Sequence, residues 1–355
     1  MHPAALLLET LRFGDPDPDA DVLRAAWRKA STRRLSSLVE FEQCEVWLWR
    51  RLQHLDATDA PAPRFTAWLA RRARMAVAQN LLVDEQAACV VRELTAVGIP
   101  HVLLKGAARR VAAGTYPLAD ARATHDLDVL VPAPQASKAW DRLRSSGYEP
   151  APLRGVKPGH FHLPPLWNDS RVAVELHMST SFDVPPDVAW RRATGGCQEI
   201  ERGGLQMRVP AATELLWHGL THGLWNRYDA FRLRFLLDGA AICASGAAID
   251  WREIGRRCDS PEVTDRRAAA TWLGAAAWLA RTSPLSVVSS VERVDLEHTL
   301  RWRFAVLRLF PPDSRPVKLL AAEGTRRQLG LTPTSESSRA ATALARAAFA
   351  LWQAV

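Results

Sequence analysis

Apolar and polar positions change their period along this chain, and the change divides it into three stretches. The first hundred residues have a helical period: Asp19 or Asp21 is placed to cap a helix running through Trp27, and a second helix is expected over Leu35 to Leu55, before Pro61 and Pro63. Phe65 to Val97 forms a longer segment in which Leu69, Met75, Leu81, Leu82, Cys89, Val90, Val91 and Leu94 approximate a 3.6-residue stripe, ended by Gly98-Ile99-Pro100. Its Arg71, Arg72 and Arg74 read as a solvated face.

From His101 the runs shorten and alternate. His101 to Leu104 is a short apolar strand leading into Lys105-Gly106 and a helix; Asp126 to Val131 is a second strand; Gln135 to Ser146 is a helix closed by Gly147. Arg171 to His177 (RVAVELH) is a third strand, and Gln198 to Val209 a hairpin turning at Gly203-Gly204. Helical periods return over Ala212–Trp225, Tyr228–Ser245, Pro261–Arg281 and Val291–Phe310, followed by a polar linker from Leu331 to Ser338 and an Ala-rich helix from Arg339 to Val355. The expected fold class is therefore α+β: an N-terminal helical region over 1–97, a mixed-sheet core over 98–209, and a C-terminal helical domain over 210–355.

Composition narrows this only a little. An apolar fraction of 48% and a charged fraction of 24% are ordinary for a globular chain of 355 residues, and no run approaches the length of a membrane span. The first residues have a brief apolar run but no basic segment before it. Five cysteines without a CxxC pair argue against a zinc knuckle or disulfide framework and fit a reducing cytoplasm. A net charge of +8 suits an acidic partner such as a nucleotide, and equally suits an arginine-rich composition with no such role.

Chemistry concentrates in the alternating stretch. Asp126 and Asp128 share one strand face while Leu127 and Val129 occupy the other; Glu175 and His177 share a face of RVAVELH opposite Val172, Val174 and Leu176. Should the two strands lie side by side, Asp126, Asp128 and Glu175 form a three-carboxylate platform for hard Mg²⁺ or Mn²⁺. Taken alone, Asp-x-Asp describes a wet solvent-facing strand just as well. Lys105 and Gly106 open a helix, where backbone N–H groups and an ammonium can meet phosphate, and Arg122 can clamp a triphosphate. Each has a plain alternative: Lys105 as an exposed strand end, Arg122 as a loop residue paired with Asp120.

The order of the set, LLKG, a helix, Arg-x-x-x-Asp-x-Asp-x-Leu-Val, then a strand with Glu-Leu-His, resembles the polymerase-β-type nucleotidyltransferase superfamily. Within it the best match is the family labelled uncharacterised nucleotidyltransferase, whose members resemble the nucleotidyltransferase toxins of abortive-infection systems. The similarity runs over roughly residues 65 to 250 and includes HGLTHGL and RFLLDGAAI. It implies a polymerase-β-like core, metal binding by Asp126 and Asp128 with Glu175 as third acid, and nucleotide contacts from Lys105, Gly106 and Arg122. The co-substrate would be an NTP and the acceptor a small molecule, peptide or RNA. Two departures stand out: Gly106 is followed by Ala107 where Gly-Ser or Gly-Gly is common, and His125 replaces a small residue before the first aspartate.

Two other readings remain open at this stage, a catalytically weak nucleotide- or protein-binding module on the same fold, and a tRNA-directed toxin. His218 and His222, at i and i+4, read as hydrogen-bonding rather than metal-binding residues, Asp238 as a partner of Arg234, and His160 with His162 as a satisfied pair that could line the acceptor side. Trp47, Trp49, Trp217, Trp225, Trp272 and Trp278 read as core.

Overall fold

The structure, a computed structural model, describes residues 1–14, 17–112, 121–150, 160–225, 232–259, 266–281 and 296–309. The expected linker at 331–338 and the terminal helix from Arg339 lie outside these residues. The helices in chain order are α1 (Pro3–Leu11), α2 (Ala20–Lys29), α3 (Thr32–Phe41), α4 (Glu45–His54), α5 (Pro63–Ala96), α6 (Lys105–Val111), α7 (Ala136–Ser145), α8 (Pro186–Thr194), α9 (Ala212–Trp225), α10 (Leu233–Ala244), α11 (Trp251–Cys258), α12 (Arg266–Leu279) and α13 (Leu296–Leu309). The strands are β1 (Val102–Leu103), β2 (Asp126–Leu130), β3 (Glu149–Pro150), β4 (Leu166–Trp167), β5 (Ala173–His177), β6 (Gln198–Arg202) and β7 (Leu205–Val209). They gather into two compact units, one of Met1–Ala73, Leu220–Ala244 and Gly255–Val355, the other of Arg74–Gly219 and Ser245–Ile254.

The first unit is helical and joins segments from both ends of the sequence. Asp19 caps α2 by accepting from the N–H groups of Asp21 (2.9 Å) and Val22 (3.1 Å). The helix expected over Leu35 to Leu55 is two helices, α3 and α4, because Gln43 between them adopts a positive φ of 53°. The break serves Glu42. Its fully buried carboxylate accepts from Arg303 of α13 (2.7 and 2.8 Å) and from the Leu233 N–H that opens α10 (2.8 Å), so one side chain ties three helices. Helical period reports none of this, since both partners lie far away in sequence. Gly223 and Gly239 hold the indole of Trp272: a Cβ on Gly239 would overlap its ring, and one on Gly223 would come within 2.8 Å of Nε1. The glycines of HGLTHGL and RFLLDGAAI thus include a slot for one buried tryptophan. Of the tryptophans read as core, Trp47, Trp217 and Trp272 are buried, while Trp49 and Trp278 are partly exposed.

The second unit carries a mixed five-stranded sheet in the order β1-β2-β5-β4-β3. β2 pairs antiparallel with β1 and parallel with β5, and Leu127, Val129, Val174 and Leu176 are buried. The separate β6–β7 hairpin turns on Gly203 and Gly204 at φ 61° and 77°, the two consecutive positive values that a tight primed turn needs. α5 closes at Gly98, whose φ of 66° lets the Ile99 N–H reach back to the Leu94 carbonyl (3.0 Å).

The stripe read along α5 needs correction. Leu69, Val90, Val91 and Leu94 are buried as expected, but Met75, Leu81 and Leu82 are 52%, 63% and 38% exposed, and Ala76, Asn80, Val83, Gln86 and Ala87 are buried in their place. Alternating steps of three and four through small residues, with the buried amides of Asn80 and Gln86 among them, mark the true inner face, a pattern that counting large apolar side chains overlooks. Helices α8 and α11, absent from the sequence reading, are short; α8 starts on Pro186 with Asp187 in its first turn.

Candidate functional site

The parallel pairing of β2 with β5 builds the site. In its register Asp128 faces Glu175 and Leu130 faces His177, so alternation brings Asp126, Asp128, Glu175 and His177 to one side of two adjacent strands. Ligand atoms of Asp128, Glu175 and His177 all lie within 4.8 Å of one another. Asp126 shares the face but is not a member of that close set. Its carboxyl is held above its ordinary pKa, first by the charge of Asp128 and then by burial.

Asp128 is the centre. Its Oδ1 accepts from Lys105 Nζ at 2.5 Å and lies 2.7 Å from His177 Nε2. Its Oδ2 is buried and has no hydrogen-bond partner among the described residues. Burial opposes ionisation here, yet the Lys105 ammonium and the His177 ring hold Asp128 well below the usual carboxylate range. His177 is fully buried and shifts the other way: burial and Lys105 oppose its charge, but Asp128 and Glu175 outweigh them and its pKa is raised. Glu175, 3.4 Å from His177 Nε2, falls below its ordinary value because the contact with His177 outweighs burial. His162 pairs with His177 across an isolated bridge and stands 3.9 Å from Glu175; burial lowers its pKa first. His160, which stacks on Phe161 and meets His162 edge-on with ring centroids 4.0 Å apart, belongs to the same group of rings.

Lys105 comes to Asp128 through the backbone as well. The Leu104 N–H donates to the Asp128 carbonyl (2.9 Å), which sets the first residue of α6 beside the aspartate. Lys105 itself has a φ of +46°, the left-handed region. α6 is anchored farther along by Arg110, whose Nε and Nη2 meet both oxygens of Asp84 on α5 (2.9 and 2.5 Å). Gly106 has a packing role of its own beside the phosphate approach expected of it. A Cβ there would stand 2.6 Å from Thr124 Cγ2 and 2.8 Å from its Oγ1, so the protein's own packing fills the space beside this glycine. Arg122 is buried, donates from Nη1 to the Ala123 carbonyl (2.6 Å), and lowers the Asp126 pKa against the larger opposing influences.

The approach to β2 is fastened by a residue that sequence reading passed over. Asn80 of α5 donates from Nδ2 to the Arg122 carbonyl (3.0 Å) and accepts the Thr124 N–H on Oδ1 (3.0 Å). An asparagine on a mostly apolar inner face is the available sign. Alternation puts His177 on the right face without assigning it a part; its i+2 spacing from Glu175 is the sign. His218 is buried and His222 packs edge-on against Phe235, and neither belongs to a three-residue ligand cluster among the described residues.

The donor set fits a divalent cation. Two carboxylates and an imidazole converge, and one buried carboxylate oxygen lacks a partner, an arrangement that costs free energy unless something positive satisfies it. The model of the family described as uncharacterised nucleotidyltransferase matches residues 28–279. No curated relative matches the chain.

Proposed function

We infer that this chain, which belongs to the uncharacterised nucleotidyltransferase family, moves a nucleoside monophosphate from an NTP to an acceptor hydroxyl or phosphate on a polymerase-β-type core. The observation that carries this reading is the pairing of Asp128 with Glu175 across parallel strands, with Asp126 on the same face and a buried, unsatisfied Asp128 Oδ2.

In the reaction a new bond forms between the acceptor oxygen and the α-phosphorus. The bond from that phosphorus to the bridging oxygen breaks, and pyrophosphate leaves with the electron pair. A bound Mg²⁺ or Mn²⁺ supplies positive charge against the phosphate oxygens. Asp126, Asp128 and Glu175 are the residues that would hold it. The partly exposed Glu175 is positioned to take the acceptor proton, with His162 beside it. Arg122 contributes positive charge close to Asp126 and is the arginine we assign to the triphosphate. No helix among the described residues is long and apolar enough to cross a membrane, and a cytoplasmic enzyme acting on NTP and an acceptor outside the bilayer is the setting we propose.

The test is pyrophosphate release and label transfer from α-³²P-labelled NTPs in a cell extract, with Mg²⁺ or Mn²⁺. Asp126→Asn and Asp128→Asn should each abolish transfer while the far-UV circular dichroism stays that of the parent. Unchanged transfer in either variant removes the mechanism.

A further inference from the structure

We propose that Lys105 is a built-in cation of this site, and that the carboxylate face of Asp126, Asp128 and Glu175 accordingly takes one divalent ion instead of a pair. The proposal rests on the nucleotidyl-transfer reading for its reaction and makes its own claim about the number of the cations.

The backbone is the first observation. Lys105 occupies a left-handed conformation with φ +46°, while Gly106, the residue that tolerates such angles freely, sits next to it with an ordinary φ and is wanted for packing on Thr124. A glycine at 105 would relieve the strain. A lysine held there against its preference points to work done by its side chain. The second observation says what that work is. The ammonium lies 2.5 Å from Asp128 Oδ1, in a network with Asp126 and Glu175, and retains 18% side-chain exposure.

Occupancy of the aspartate then decides the count. Two-ion sites share a carboxylate between the ions, one oxygen to each. Here Oδ1 is engaged by Lys105 and also lies 2.7 Å from His177, which leaves Oδ2 as the buried oxygen without a partner among the described residues. A second divalent ion on the Oδ1 side would have to expel an ammonium or sit against it, and like charges at that range repel strongly in a partly buried site.

The experiment counts Mn²⁺ by electron paramagnetic resonance on the full chain with a non-hydrolysable α,β-methylene NTP. Wild type should bind one ion per chain, and Lys105→Gly, which keeps the left-handed turn without strain, should bind two. Two ions in the wild type, or one in both proteins, overturns the built-in cation. Failure to bind any Mn²⁺ would sink the metal-dependent reading itself, an outcome distinct from a count of two.

Discussion

Asn80→Ala offers the sharpest check on how the site is held. The side chain is 1% exposed and makes two hydrogen bonds to the segment just before β2, one to the Arg122 carbonyl and one from the Thr124 N–H, both at 3.0 Å. Removing the amide withdraws a partner from two buried backbone groups, and each such loss costs about 1–3 kcal/mol. The sum, about 2–4 kcal/mol after partial relaxation, is a sizeable share of the ~5–15 kcal/mol that keeps a domain folded. Urea unfolding should show this as a lower midpoint with an unchanged slope. Transfer activity should fall at temperatures where the variant is still folded, because the same two bonds position the approach to Asp126. Asn80→Asp separates the bonds: its carboxylate can still accept from Thr124 but sets an acceptor against the Arg122 carbonyl, so it should be no more stable than the alanine variant. A loss under about 0.5 kcal/mol in Asn80→Ala, the size of a surface change, would refute the reasoning.

Further outcomes follow from other parts of the molecule. Glu42→Ala strands the 2%-exposed side chain of Arg303 without its carboxylate and should cost about 3–5 kcal/mol by chemical denaturation; a surface-sized loss would mean the pair is not a tie. Gly239→Ala drives a methyl into the Trp272 ring and should cost about 1–3 kcal/mol with a change in tryptophan fluorescence, whereas an unaltered spectrum would place Trp272 elsewhere. His101 is buried at the start of the sheet unit, and desolvation lowers its pKa below 6.5. The unfolded chain therefore binds this proton more tightly, so its contribution is complete above pH 6.5 and is lost as pH falls toward the depressed folded value. His101→Phe should remove that part of the acid-side slope, seen as a stability difference from wild type that varies with pH below 6.5 and is flat above it.

The parts of this structure that local patterning dictates were readable in advance. Alternation placed Asp126 and Asp128, and Glu175 and His177, on common faces, and the cap at Asp19, the turn at Gly203-Gly204 and the stop at Gly98 all rest on chemistry within a few residues. What escaped depends on distant partners. The interruption between α3 and α4 follows from a carboxylate that answers an arginine more than two hundred residues away. The inner face of α5 is built from Ala76, Ala87 and Asn80, whose burial is decided by what lies opposite, while Met75 and Leu81 look like core and are not. Lys105 was assigned to phosphate from its place at a helix start; that its ammonium reaches Asp128 depends on the pairing of Leu104 with the Asp128 carbonyl, which no local spacing discloses.

The contact between Gly106 and Thr124 bears on how this turn can be remodelled. A side chain grafted at 106 would collide with the threonine before it could meet any ligand. The two positions form a lock and its key: the glycine is small because the threonine is large. Exchanging them together, Gly106→Ser with Thr124→Gly, is the route by which a side chain could be seated at 106, and either half alone should fare worse than the pair.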